Sequence, residues 1–165
     1  MNALELEGWH DFAVAAAGAA AALAGLIMVA ISVNIKEIIT LPGLPARAGA
    51  TIAAVVVIVV AALVILIPGQ SALALGLQLI AFAVAGTCFQ IPAVRALFRA
   101  QQGAPLPAKL LNAVLLLTQL VWIAVGGVIV ALGSTDGLAY VAAGFVVIVI
   151  TSMLNAWVLM VEILR

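Results

Sequence analysis

Apolar residues do not alternate with polar ones along this chain; they come in five long runs, at residues 13–33, 47–67, 71–91, 109–132 and 138–164. Each run is close to the ~20 residues that cross ~30 Å of hydrocarbon at ~1.5 Å per residue. Runs of this length, rich in Ala and Leu, predict helices, because a backbone exposed to lipid has to satisfy its own hydrogen bonds. The breaks between them carry turn residues: Pro42, Gly43 and Pro45; Pro68 and Gly69; Gly103, Pro105 and Pro107; and the stretch from Gly133 to Gly137. Pro92 either ends the third run or kinks it, with Arg95 and Arg99 continuing as an amphipathic extension. The pattern predicts an all-α, polytopic membrane helix bundle of five transmembrane helices in a single domain, with residues 1–12 as an outer tail.

Composition removes the soluble alternative. The chain is 68% hydrophobic and 7% charged, against about 45–50% apolar and about 25% charged residues in soluble domains. A 165-residue globule exposes much of its surface, and runs such as residues 53–67, with no polar side chain, would have to pack on every face.

Charge then sets the orientation. With five alternating spans, the first and third connections and the C-terminus share one side, and they hold Lys36, Arg47, Arg95, Arg99, Lys109 and Arg165, which is every Lys and Arg in the chain. The other side holds Glu5, Glu7, Asp11 and Asp136, with the lone His10. By the positive-inside rule the basic side is cytoplasmic, so the expectation is a multi-pass protein of the plasma (inner) membrane with its N-terminus outside. The start of the chain is acidic rather than basic and the first run is too long for a signal-peptide core, so the first span is expected to be retained as a signal-anchor. Its acids sit where the helix macrodipole favours negative charge. Cys88 is the single cysteine, which excludes a disulfide framework and a thiolate metal site.

An internal repeat organises the spans. Leu44-Pro45-Ala46-Arg47 opens the second span and Leu106-Pro107-Ala108-Lys109 opens the fourth, 62 positions later. Each introduces an apolar run, an outer turn and a return run with an amide in its inner third, Gln90 or Asn155, and each unit closes on an arginine, Arg99 or Arg165. This is either one span plus two parallel hairpin repeats or the ordinary tendency of cytoplasmic loops toward proline and a basic anchor.

Small and polar residues mark the expected contact faces. Gly18 with Ala22, and Ala21 with Gly25, are pairs at the spacing that lets helix backbones approach, so the first span is expected to pack closely, on its own hairpins or on a second copy. The fourth span carries Asn112, Gln119, Gly126 and Gly133 along one seam at seven-residue spacing. The fifth presents Tyr140, Gly144, Thr151, Asn155 and Glu162 near one face, and the third presents Ala83, Gly86 and Gln90. Gln90, Asn112, Gln119, Thr151 and Asn155 are thus the candidate polar network. They either line a path or only bond between helices, at about 0.6–2 kcal/mol per bond. Gly18, Ala22, Gly25 and Gly126 are the candidate packing residues.

Several functions are disfavoured. No Asp, Glu, Lys, Arg or His lies near the middle of any span, where proton relays and voltage sensors place charge. Glu162 lies close to the cytoplasmic end, and Glu37 beside Lys36 is a solvated surface pair. A single histidine restricts every nucleophile–base or metal scheme, so neither enzyme activity nor a cofactor is expected. Glu7, His10 and Asp11 would converge as a weak metal site only if the tail were helical, and otherwise form a solvated cap; no metal is expected. Trp9, Tyr140 and Trp157 fit interfacial anchors, and Trp122 a helix or subunit contact. The expected partners are the lipid bilayer and either further copies of the chain or another membrane protein, with no nucleic acid.

Two resemblances bear on function. Gly8-Trp9-His10-Asp11-Phe12, the run ending Val29-Ala30-Ile31-Ser32-Val33-Asn34-Ile35 and the loop Leu41-Pro42-Gly43-Leu44-Pro45-Ala46-Arg47-Ala48 resemble a group of small actinobacterial multi-span membrane proteins. Some of that group carry an automatic label as modulators of a membrane-bound ATP-dependent protease. Ala22-Leu23-Ala24-Gly25-Leu26-Ile27-Met28-Val29-Ala30 is similar to the pore-lining first helix of Orai calcium channels, which implies a hexamer with this helix around the axis. The chain departs from that family where the acidic filter residue would fall, around Val33 or Asn34, and in its five-span, N-out topology.

The sequence therefore points to an oligomeric pore or transport-type protein with a neutral polar lining, or to a non-catalytic accessory or regulatory subunit packed against another membrane complex. For the orientation, a Glu5→Cys variant is expected to react with a membrane-impermeant maleimide added outside intact cells. Labelling that requires access to the cytoplasm would reverse it.

Overall fold

The computed structural model describes residues 3–40, 43–100 and 106–163, with side chains described over 8–40, 43–96, 98, 99, 110 and 113–157. Six helices follow in order: α1 (Ala3–Val33), α2 (Ile35–Thr40), α3 (Leu44–Ile65), α4 (Ala72–Ala100), α5 (Leu106–Ala131) and α6 (Gly137–Ile163), with no strand among the described residues. Five of them, all but α2, are long and apolar enough to cross a membrane. The architecture is that of an all-helical, multi-pass membrane protein.

Three boundaries sharpen the sequence expectation, and at Pro92 the chain takes the continuous course of the two left open. α1 begins at Ala3, so residues 3–12 of the expected tail are helical, and its 31 residues span ~46 Å, more than the ~30 Å of hydrocarbon. The six-residue α2 lies within the first connection, where Ile38 is buried beside Leu44, Ala48 and Ile31. α4 runs through Pro92 to Ala100, although Pro92 has no N–H to offer the Cys88 carbonyl.

The turns are closed by local chemistry. Gly43 adopts φ 89° ahead of α3, whose first turn carries Pro45, and its carbonyl accepts the Arg47 N–H at 3.1 Å. After α3, Gly69 turns the chain at φ 73°, and the Gln70 amide donates to the Val64 carbonyl. α5 ends in a Schellman motif: Gly133 is at φ 93°, its N–H donates to the Val130 carbonyl at 2.8 Å, and the Ser134 N–H donates to the Ile129 carbonyl at 3.2 Å.

α3 packs against α1, α4 and α6, and α5 packs against α4 and α6. α3 to α6 therefore close a ring of two hairpins, α3–α4 and α5–α6, with α1 outside it along α3. Of the apolar window in α3, 56% is buried, against 11% in α1, so α3 is the central helix. Side-chain contacts fix the directions: Arg47 at the start of α3 meets Asn155 near the end of α6, and Gly76 near the start of α4 meets Gly127 near the end of α5. Lys36, Arg47, Arg95 and Arg99 thus share one end of the bundle, the basic end, and Asp11 and Asp136 lie at the other, the acidic end.

Lipid supplies no hydrophobic force between helices, so their contact has to come from close packing. In the acidic half, glycine provides it. A Cβ on Gly76 would strike the Gly127 carbonyl and the Ala131 backbone nitrogen; one on Gly126 would strike the Gly137 carbonyl and Val141; one on Gly144 would strike Ile123. Leu79, Ile123, Val141, Phe145 and Ile148 fill the remaining space.

Within the chain, α1 packs through a face other than its small-residue pairs. Ala13, Ala20 and Ile27, seven residues apart, are buried, with Phe12, Ala16, Ala17, Leu23, Ala24 and Ile31 beside them. Gly18, Ala22 and Gly25 lie on the far side, exposed, and neither glycine has an atom within 4 Å of an added Cβ. The two faces are set roughly half a turn apart by the ~100° between successive residues, so α1 presents one to α3 and turns the other outward. Phe12 stacks on Phe145 at 6.3 Å between ring centroids, tying α1 to α6 at the acidic half.

Gly76→Ala and Gly126→Ala are each expected to lower stability in detergent by about 1–3 kcal/mol, the usual cost of overpacking. Gly18→Ala and Gly25→Ala should leave it unchanged or raise it by about 0.5–1 kcal/mol through helix propensity. Thermal unfolding of the four variants side by side measures the contrast.

Candidate functional site

The described polar side chains that are buried within the helices are Thr51 on α3, Gln90 on α4, Gln119 on α5, and Thr151 and Ser152 on α6. They come from all four helices of the ring: Thr51 and Gln90 lie toward the basic end, and Gln119, Thr151 and Ser152 near the middle of α5 and α6. Gly86 supplies the register, since it sits between Val57 of α3 and Leu120 of α5. One turn of α4 further toward the basic end comes Gln90, and on α6 the Thr151 level leads one turn on to Asn155.

Two sets of side-chain bonds tie the layer together. The Thr151 hydroxyl donates to Gln119 Oε1. The same oxygen also lies within reach of the Val147 carbonyl at 2.8 Å and the Ile148 carbonyl at 3.1 Å, and its single hydrogen serves one acceptor at a time. Nearer the basic end, Arg47 Nε and Nη2 both donate to Asn155 Oδ1, at 3.3 and 3.0 Å. The Thr51 hydroxyl donates back to the Arg47 carbonyl at 2.9 Å, the local bond a helical threonine makes when no other acceptor is offered.

Gln90 differs from the rest. Its side chain is 0% exposed, and neither Nε2 nor Oε1 has a hydrogen-bond partner among the described residues. Gln90 and Asn155 occupy corresponding places, each 18 residues after the first residue of its helix. Arg47, which bonds Asn155, corresponds in turn to Lys109 at the start of α5, whose side chain lies outside the described residues.

The expected network is therefore partly assembled. Gln119 and Thr151 are joined directly; Asn155 is joined through Arg47 rather than to another amide; Gln90 is buried without a partner; and the side chains of Asn112 and Glu162 lie outside the described residues. Gly126 sits in the α5–α6 contact, whereas Gly18, Ala22 and Gly25 face outward. Tyr140, expected on the same stripe as Thr151, instead stacks on Trp122 at 6.2 Å between centroids, with both rings partly exposed on the outer surface. Of the Glu7, His10 and Asp11 set, which lies on helical backbone, His10 and Asp11 are exposed and the Glu7 side chain lies outside the described residues; no cluster of three metal-ligating side chains occurs among the described residues.

Sequence reasoning missed Arg47, Thr51 and Ser152 as members of the layer. In the sequence, Arg47 reads as a topology marker and as the close of the repeated Leu-Pro-Ala-basic motif. Its place in the first turn of the most buried helix, one turn from a threonine, was the available clue.

No protein-family model, curated protein or solved structure matches the chain. Function has to be read from the layer itself, which offers neutral donors and acceptors beside one guanidinium. Such a set binds polar groups by hydrogen bonding.

A double-mutant cycle tests the central bond. Gln119→Leu and Thr151→Val are expected to be coupled by about 0.6–1.7 kcal/mol, the range measured for hydrogen bonds between membrane helices. A coupling of zero in thermal unfolding would remove the bond.

Proposed function

We propose that the chain is a transport-type membrane protein, in which the polar layer in the basic half of the bundle contacts the solute and several copies assemble. The observation that carries this reading is the distribution of buried polarity. Five buried polar side chains from α3, α4, α5 and α6 lie between the middle of the bundle and its basic end, while the acidic end is closed by glycine contacts and aliphatic side chains. A scaffold needs no such asymmetry. Hydroxyls and amides lining a constriction select among solutes without fixed charge, by replacing hydration with hydrogen bonds.

With the positive-inside rule the layer faces the cytoplasm. In the closed acidic half, Gly76 against Gly127 and Gly126 against Gly137 form the barrier that a solute has to pass within one chain. Assembly is supported by the outward face of α1, where Gly18, Ala22 and Gly25 would let a second helix approach closely.

That same face favours a second reading, an accessory subunit docked through α1 to another membrane complex. Reconstitution separates the two. Purified protein in liposomes is expected to accelerate the entry of at least one small neutral solute over empty vesicles, with Gln119→Leu altering the rate, and to run as a multimer in native mass analysis. A strict monomer giving no flux above empty vesicles, with one stoichiometric partner retained on purification, would establish the accessory role instead.

A further inference from the structure

Among the described residues, Gln90 is the side chain buried with both of its amide atoms unsatisfied. Both its amide atoms are removed from water and from any partner, which costs stability that a leucine in its place would not. Toward the basic end from Gly86, most of the buried side chains are small. Beyond Gly86, the buried residues met in turn are Ala54 and Ala50 on α3, Leu116 and Ala113 on α5, and Ala93 on α4. Pro92, two residues from Gln90, leaves the Cys88 carbonyl without its helical donor, the kind of site at which a helix bends. The acidic half has no such freedom, because backbone meets backbone at Gly76, Gly126, Gly127 and Gly137.

We propose that Gln90 is the contact for a small solute carrying a donor and an acceptor on one planar group, a primary carboxamide or a urea, admitted from the basic end by bending of α4 at Pro92. This deepens the transport reading and rests on it for the route across the membrane. The recognition follows from the amide's own chemistry. Oε1 needs a donor and Nε2 an acceptor, side by side in one plane. A cation leaves Nε2 unanswered, an anion leaves Oε1 unanswered, and a second carboxamide-like group answers both at once. The step is binding alone, with no bond made or broken.

Two measurements on the full chain test the proposal. Gln90→Leu is expected to raise the melting temperature by about 2–4 °C, since it removes an unsatisfied buried group at nearly constant volume. An amide serving only helix packing would make the same variant less stable. In nanodiscs, protein labelled with 15N at glutamine side chains should show a Gln90 resonance, assigned by its loss in Gln90→Leu, that shifts saturably with acetamide and not with glycerol.

A destabilised Gln90→Leu, or a Gln90 resonance indifferent to acetamide, would overturn the proposal. Solute flux in liposomes without the acetamide shift would sink this site while leaving the transport reading standing. The shift without flux of any solute would keep the site and remove transport.

Discussion

The bundle depends on helix backbones that touch. Lipid tails solvate leucine as well as another helix does, so association inside a membrane requires van der Waals contact that lipid cannot match. Here that contact is concentrated where α4 meets α5 and α5 meets α6, at Gly76, Gly127, Gly126 and Gly137, with no room for a Cβ at Gly76, Gly126 or Gly137. The tight α5–α6 turn and its Schellman motif hold Gly126 and Gly137 in register. Everything nearer the basic end inherits its geometry from this clasp.

What it inherits is a more polar half. The basic half is tied by side chains, through Thr151 on Gln119 and Arg47 on Asn155, rather than by backbone contact. Hydrogen bonds between membrane helices are worth little more than their counterparts in water, because separated helices find other partners. Under the proposed transport reading, a clasp at one end and exchangeable bonds at the other assign rearrangement to the polar end. Gln90 is the sharpest expression of that division, an amide that the closed arrangement buries and does not satisfy.

Much of this was legible in the sequence. Run length and composition gave five spans because the bilayer imposes one length scale, and the basic residues gave a consistent alternation because each span reverses the last. The seven-residue spacing of Gln119 and Gly126 placed both on the inner seam of α5, where one bonds Thr151 and the other packs on Gly137. The packing face of α1 was not legible. The helix carries small residues on two sides, and only the position of α3 decides that Ala13, Ala20 and Ile27 turn inward. α2 escaped notice because six residues give no periodicity. The pairing of Arg47 with Asn155 depends on two helices 108 positions apart in the chain, and the lack of a partner at Gln90 is a property of the packed interior, not of local pattern.

The most direct test compares the two ends of one helix pair, α4 and α5. In a Cys88→Ser background, spin labels at exposed Leu73 and Leu132 report the acidic end, and labels at exposed Phe98 and Leu110 report the basic end. Pulsed dipolar distance measurements in nanodiscs should give a single narrow distribution for the first pair and a broad or two-peaked one for the second. Equally narrow distributions at both ends would contradict a bundle clasped at one half and free to open at the other.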